Sequence, residues 1–408
     1  MDGIKLSKSI NDEIEELVDK YQFNFELIKR LSFTYGLQKT STLIASLKEH
    51  TQYLPIRVNT QITTASKLIK TLKEKEIIAK QHPDFDEAIL VEISKNEVIP
   101  RKEKTITLNY KRPLNSVLLG VGVGSNDFEY TDELSIGDEI SLLDKRGDVV
   151  GNGILMMNVS DLEEKKKGIA IKITESKYKI PNINGLKEYL RGQFIPQTIP
   201  SMLIGASVKL KAKDRLLDFN TDIGEILTHI WQRNSEVKDL KIIAQRSTAH
   251  KLSKFNENIK RLRMYKAPIE RENLNLSEFT KKYNKDETFD WIIANPPSSD
   301  MGLRPKIFEM VRENQLLEFS RRQRRFLIHA ARLLKPGGTI FYTTNSLDPA
   351  ENEGNIQFAI EELNLTVEKQ EIFHGMKCSA RFPGSEFLQY FYPDVHDTPG
   401  QFIAKLTK

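Results

Sequence analysis

The chain has 408 residues, enough for two or three domains, and its 39% hydrophobic and 29% charged side chains exclude wholesale disorder. Its 61 basic and 56 acidic side chains leave a formal net charge of +5, which permits nucleic-acid binding without requiring it. A single cysteine, Cys378, excludes an internal disulfide and a cysteine-rich zinc site. No apolar run approaches the roughly 18 residues that span a bilayer, and the first residues lack the layout of a signal peptide, so a cytoplasmic location is expected.

Residues 8–50 carry helical periodicity, with Ile10, Ile14, Leu17 and Val18 on one face and Phe25, Ile28 and Leu31 on another. Ser9, with Asp12 three residues later, marks a helix start. A strand over 55–60, a helix over 64–75 and a strand over 88–93 then predict a small α/β unit. From about Lys104 to Ile183 the texture changes to short β segments at 106–108, 117–119, 139–143, 149–154 and 169–173. The turn Asp144-Lys145-Arg146-Gly147-Asp148 joins two of them as a hairpin, and the whole predicts a small sandwich or barrel. After Leu186, strands at 215–219, 240–244, 290–294 and 339–342 alternate with helices at 226–231, 249–262 and 318–334, the last ending at Lys335-Pro336-Gly337-Gly338. Alternating units of this length predict a mostly parallel, doubly wound sheet with helices on both faces.

Several segments in this order carry a family resemblance. They are Ile56-Arg57-Val58-Asn59-Thr60, then Asn295-Pro296-Pro297-Ser298 through Gly302-Leu303-Arg304-Pro305, then Thr343-Thr344-Asn345-Ser346 through Glu351-Asn352-Glu353, and the ending Thr398-Pro399-Gly400-Gln401-Phe402. Together they resemble the Sun/Fmu-type RNA cytosine-5 methyltransferases. Ile136-Gly137-Asp138, Val150 to Ile154 and Lys167 to Ala170 look like a PUA domain inserted between the two units, the arrangement of the archaeal and eukaryotic transfer RNA type. The resemblance implies a helical and RRM-like domain over 1–100, a PUA-like β-barrel over 101–183 and a Rossmann-like methyltransferase domain over 184–408. It also implies S-adenosylmethionine as cofactor, no metal, and transfer RNA as partner.

The same resemblance locates the chemistry, and there the chain departs from it. Cytosine carbon 5 becomes nucleophilic only after a thiolate adds at carbon 6. The nucleophile's position holds Asn345, the second cysteine's position Ser298, and the neighbouring aspartate's position Asn295. No catalytic residue is therefore expected. In the cofactor loop, Asn220-Thr221-Asp222-Ile223-Gly224-Glu225-Ile226, Glu225 replaces the second glycine and Ile226 the lysine. The implied cofactor positions are Asp218, Asn220, Gly224, Arg246, Glu272 and Asn295, with Arg246 where an acid commonly holds the ribose.

Candidate RNA contacts are Lys165, Lys166 and Lys167 in the β-rich unit, Arg304, and Arg321, Arg322, Arg324 and Arg325 on a helix. In the PUA-like segment Leu119 stands where a basic residue usually precedes Gly120. The leading expectation is an RNA-binding protein of this family without cytosine-5 methyltransferase activity. One alternative is amine methylation through Asn295-Pro296-Pro297, which resembles the Asn-Pro-Pro-aromatic motif but has Ser298 in the aromatic position. Another is a non-catalytic scaffold, a partner of an active relative.

Overall fold

The structure, a computed structural model, describes residues 9–96, 98–128, 133–245, 249–283 and 288–408. Three helices, Ile10–Tyr21, Phe25–Tyr35 and Leu37–Leu47, open the chain. The first has the expected cap, with the Asp12 N–H donating to Ser9 Oγ at 3.2 Å and the Ser9 N–H to Asp12 Oδ2 at 3.1 Å. Their apolar faces do not form a separate core. Leu27, Ile28, Leu31, Leu43 and Leu47 join one cluster with Leu217, Phe219 and Tyr342 of the large sheet.

The strands Tyr53–Val58, Ala88–Glu92 and Ala79–Gln81 build an antiparallel sheet, with the helix Ala65–Lys73 packed on it. A fourth strand, Phe194–Pro196, pairs with Tyr53–Val58 from beyond the boundary expected at residue 184. A five-stranded sheet lies between, in the order Lys104–Thr107, Glu139–Leu143, Val149–Leu155, Ile169–Ser176 and Val123–Gly124. The hairpin at Asp144–Asp148 is present, closed by the Asp144 N–H to the Asp148 carbonyl at 3.0 Å. Residues 117–119, expected as strand, instead end the helix Lys111–Leu118, where Leu114 and Val117 are buried one turn apart.

The large sheet places Ile269–Glu272, Lys241–Gln245, Arg215–Phe219, Phe289–Ala294 and Leu334–Thr344 side by side and parallel. Antiparallel strands Gln401–Thr407, Gln389–Phe391 and Met376–Lys377 extend it. Side chains alternate between two cores. Leu217, Phe219 and Ile243 face the helix Glu313–Leu333, whereas Leu216, Ile242 and Ala244 face the helices Ile199–Ser207 and Glu225–Arg233. Two local expectations are corrected. The long helix starts at Glu313, and Lys335 to Gly338 belongs to the strand that follows it. The helix Ile199–Ser207, buried along its length after its first residue, has no polar face and so no periodic signature.

Chain order reverses between Arg215–Phe219 and Phe289–Ala294, which are neighbours although two strands separate them in sequence. In open α/β sheets such a switch leaves a crevice beyond the carboxyl ends of the strands.

Candidate functional site

The loop after Arg215–Phe219 begins with Asn220 at φ 74° and reaches the helix Glu225–Arg233 through Gly224 at φ 86°. A side chain at Gly224 would strain that backbone and place its Cβ 2.5 Å from the Phe255 ring. The loop is tied on three sides. Gln245 Oε1 accepts from the Asn220 N–H at 3.1 Å, its Nε2 donates to the Leu274 carbonyl at 2.5 Å, and Asn220 Nδ2 donates to the Asn295 carbonyl at 2.7 Å. From the small antiparallel sheet, buried Arg57 donates to the Glu225 carbonyl at 3.2 Å and to Thr228 Oγ1 at 2.8 Å. A crevice of about 340 Å³ opens here, walled by Asn220, Gln245, Asn275, Pro297 and Phe326.

Next to it lies the loop after Leu334–Thr344, which carries Asn345. Its conformation is held by a buried carboxylate, Glu351. Oε1 accepts from the Ser299 and Ser346 hydroxyls, each at 2.6 Å, and Oε2 accepts from the Ser299 N–H at 3.0 Å and Gln323 Nε2 at 2.7 Å. Burial pushes this carboxyl above its ordinary pKa, against the pull of those donors. Asn352 closes the other side, accepting from Thr344 Oγ1 at 2.5 Å and donating to the Ser346 carbonyl at 2.8 Å. The Asn345 carbonyl accepts from the Gly302 N–H at 2.8 Å, and Gly302 lies so close to Gly400 that a Cβ would stand 2.2 Å from its carbonyl oxygen. Asp348 is fully buried against Arg30, which joins the loop to the N-terminal helices.

Comparison with known proteins decides what this architecture is. Residues 206–407 match the family model for the 16S rRNA methyltransferase RsmB/F, and residues 27–96 match the RsmF/B-like ferredoxin-like domain. Over 392 residues the chain is 31% identical to the tRNA (cytosine(72)-C(5))-methyltransferase of Pyrococcus horikoshii, spanning 95% of this chain and 97% of that protein. The chain belongs to the RsmB/F (Sun/Fmu) family of RNA cytosine-5 methyltransferases. The human tRNA (cytosine(72)-C(5))-methyltransferase NSUN6 is 24% identical over 399 residues, covering 89% of this chain and 84% of that one. The crystal structure of NSun6 from Pyrococcus horikoshii with SFG superposes with a TM-score of 0.82 at 30% identity, covering 95% of this chain and 99% of that one.

S-adenosylmethionine is the cofactor of this family. In this chain the crevice lies beyond the carboxyl ends of the strands, where open α/β sheets take nucleotides, but among the described residues no carboxylate lines it to accept from ribose hydroxyls. Arg246 lies outside the described residues. Its neighbour Gln245 faces the crevice, because side-chain alternation puts it on the same face as Phe219 and Ile243. Sequence reasoning passed over Gln245, although the parity of the strand could have found it. Glu272 does not line the crevice; its carboxylate is paired with Lys282 at 2.5 Å and accepts from the Tyr283 hydroxyl at 2.8 Å. Burial opposes its ionised form, yet these two partners hold its pKa below the ordinary value. Asp218 is buried within its strand, and Asn295 offers its carbonyl to the loop.

The positions that the sequence resemblance assigns to the reacting residues lie on the loops after Phe289–Ala294 and Leu334–Thr344. Asn345 sits half-buried at the end of its strand, and the Ser298 hydroxyl donates to Asp300 Oδ1 at 3.0 Å. Cys378 is remote from both loops in sequence and buried, with its thiol pushed up to about 12 by burial and by Glu353. No group of three or more potential metal ligands occurs among the described residues. Likewise no described helix is long and apolar enough to cross a membrane.

The basic candidates divide. Arg321, Arg322 and Arg325 are exposed on the helix Glu313–Leu333, Arg322 being paired with Glu318. Lys165, Lys166 and Lys167 are exposed, and Lys166 pairs with Asp161 at 2.5 Å. Arg324 is partly committed, donating to Asn355 Oδ1 at 3.0 Å and lying over the Phe358 ring. Arg304 is corrected as an RNA contact. Its side chain is 5% exposed, and it donates to the carbonyls of Glu49 (2.7 Å), His50 (2.9 Å) and Pro393 (3.0 Å) and pairs with Asp397 (3.3 Å). It clamps the end of the N-terminal helices to the large sheet.

Proposed function

We propose that this chain is a transfer RNA-binding member of its family that does not methylate cytosine carbon 5. One observation carries the reading. The loop that should present the nucleophile is held by the Glu351 network, and the side chain it presents is the amide of Asn345. An amide nitrogen lends its lone pair to its own carbonyl and does not add to carbon 6 of a pyrimidine. The thiol of Cys378 is buried and held protonated, so it offers no thiolate in exchange.

The transfer RNA assignment rests on relatives of matching length whose names record action on transfer RNA. In this reading the units are residues 1–100, a PUA-like unit over 101–183, and a methyltransferase-fold unit over 184–408. RNA phosphates meet Arg321, Arg322 and Arg325, with Lys165 to Lys167 as a second contact, in a cytoplasmic setting. The test is incubation of the full chain with transfer RNA and methyl-labelled S-adenosylmethionine, alongside a direct binding measurement. Transfer RNA binding without label in 5-methylcytosine is the expected result. Label in 5-methylcytosine overturns it. Label on an exocyclic amine that Asn295→Ala abolishes leaves the carbon 5 reading standing and establishes the Asn-Pro-Pro chemistry beside it.

A further inference from the structure

The crevice beside Gln245 differs from a methyl-donor site in charge. Its described lining contains no acidic side chain, whereas Arg325 and His329, one turn apart on the helix Glu313–Leu333, both border it. The Thr280 hydroxyl lies 2.8 Å from His329 Nδ1; with that hydroxyl donating, Nε2–H remains a donor. Asn275, Leu276 and Ser277 bring the first turn of the helix Leu276–Tyr283 to the same wall. The Glu278 carboxylate of that turn is held by the Asn275 N–H at 3.1 Å, while the amides of Leu276 and Ser277 belong to the first turn, where intrahelical partners are lacking. Phe326 and Pro297 supply flat apolar walls. Gln245, whose amide is bonded to the Asn220 N–H and the Leu274 carbonyl, offers a ribose no charged acceptor.

We propose that this crevice binds the phosphate-bearing group of a nucleoside monophosphate, in preference to the cationic sulfonium donor for which the fold is otherwise known. Arg325 and His329 hold the phosphate, and Phe326 and Pro297 hold the base. The volume, about 340 Å³, accommodates one nucleotide. The phosphate comes either from a free nucleotide or from the end of an RNA strand, and the chemistry at the wall is the same for both.

Calorimetric titration of the full chain with adenosine monophosphate, adenosine and S-adenosylmethionine tests this directly. Adenosine monophosphate binds roughly ten-fold tighter than adenosine, the effect of one charge-assisted contact. Arg325→Ala erases that difference and leaves adenosine unchanged; its side chain is exposed on a helix, so the fold is retained. Gln245→Glu, which introduces a carboxylate at the crevice, weakens the monophosphate by a similar factor, with thermal melting as the control for folding. Equal binding of adenosine and its monophosphate, or tighter binding of S-adenosylmethionine than of the monophosphate, overturns the proposal. Competition by a short RNA carrying a 5′-phosphate, but not by its 5′-hydroxyl form, assigns the site to an RNA end; no competition by either assigns it to free nucleotide. Transfer RNA binding is measured separately with Arg321 and Arg322 replaced, which do not border the crevice, so loss of one reading leaves the other standing.

Discussion

Replacing Glu351 with alanine removes the acceptor for four donors in a site with no exposure. The Ser299 and Ser346 hydroxyls can rotate to other partners, but the Ser299 N–H and the Gln323 amide cannot. Two fixed, buried, unpaired donors cost roughly 1–3 kcal/mol each, and the one lost methylene adds about 1 kcal/mol. Relief of the carboxylate's own desolvation offsets part of this, leaving a loss of about 3 kcal/mol. Glu351→Gln behaves differently. Its Oε1 can keep the Ser299 N–H and Gln323, while its NH₂ faces two hydroxyls that can turn and accept, so the cost is about 1 kcal/mol or less. The assay is urea unfolding followed by fluorescence, since both tryptophans, Trp231 and Trp291, lie in the large-sheet unit and report on it. The pH dependence supplies a second readout. Because the folded-state pKa of Glu351 is raised, the protein holds this proton where the unfolded chain has lost it. Its stabilising contribution is full below the ordinary carboxyl pKa and is lost as pH rises through the folded value. Glu351→Gln abolishes that slope. An alanine variant within about 1 kcal/mol of the parent, or a glutamine variant as unstable as the alanine one, refutes the network as described.

Three further outcomes follow from the same geometry. Arg304→Ala leaves three backbone carbonyls without their donor and lowers stability by roughly 3 kcal/mol, whereas combined alanine changes at Arg321 and Arg322 leave stability within about 0.5 kcal/mol; the latter pair weakens transfer RNA binding and flattens its salt dependence, and the reverse pattern in melting and filter-binding assays contradicts the assignment. Cys378 resists alkylation at pH 8 in the folded protein and reacts on unfolding, because burial holds its thiol up to about 12; rapid labelling of native protein counts against this. His229, buried against Glu87 at 2.8 Å, has its pKa lowered to about 4 by burial, so the unfolded chain takes up a proton below its ordinary 6.5 while the folded chain does not. Stability therefore falls as pH drops from 6.5 towards 4, by about 3 kcal/mol at most, and His229→Gln removes that slope in pH-dependent melting.

The identities of Asn345 and Ser298 are covalent facts, as legible in the sequence as they are in the fold. So were the alternating βα units after Leu186 and the cap at Ser9, because hydrophobic periodicity and capping act over a few residues. Strand parity at Gln245 was also available, yet the register that turns it towards Asn220 and Leu274 depends on neighbours brought in by two other strands.

What only the tertiary structure decided lies in contacts between residues far apart in sequence. Arg304 looked like any exposed cation until packing put the carbonyls of Glu49, His50 and Pro393 around it. Phe194–Pro196 is too short to announce itself as a strand, and it is one because Tyr53–Val58 has a free edge to pair with. The helix Ile199–Ser207 carries no polar face because it is covered on all sides, and a buried helix has no periodicity to read. The residue types that set the chemistry of this site are therefore written in the chain itself. Which cations face solvent, and which groups Gln245 meets beside the crevice, was settled by packing, since local pattern encodes the face a residue takes and not the partner it meets there.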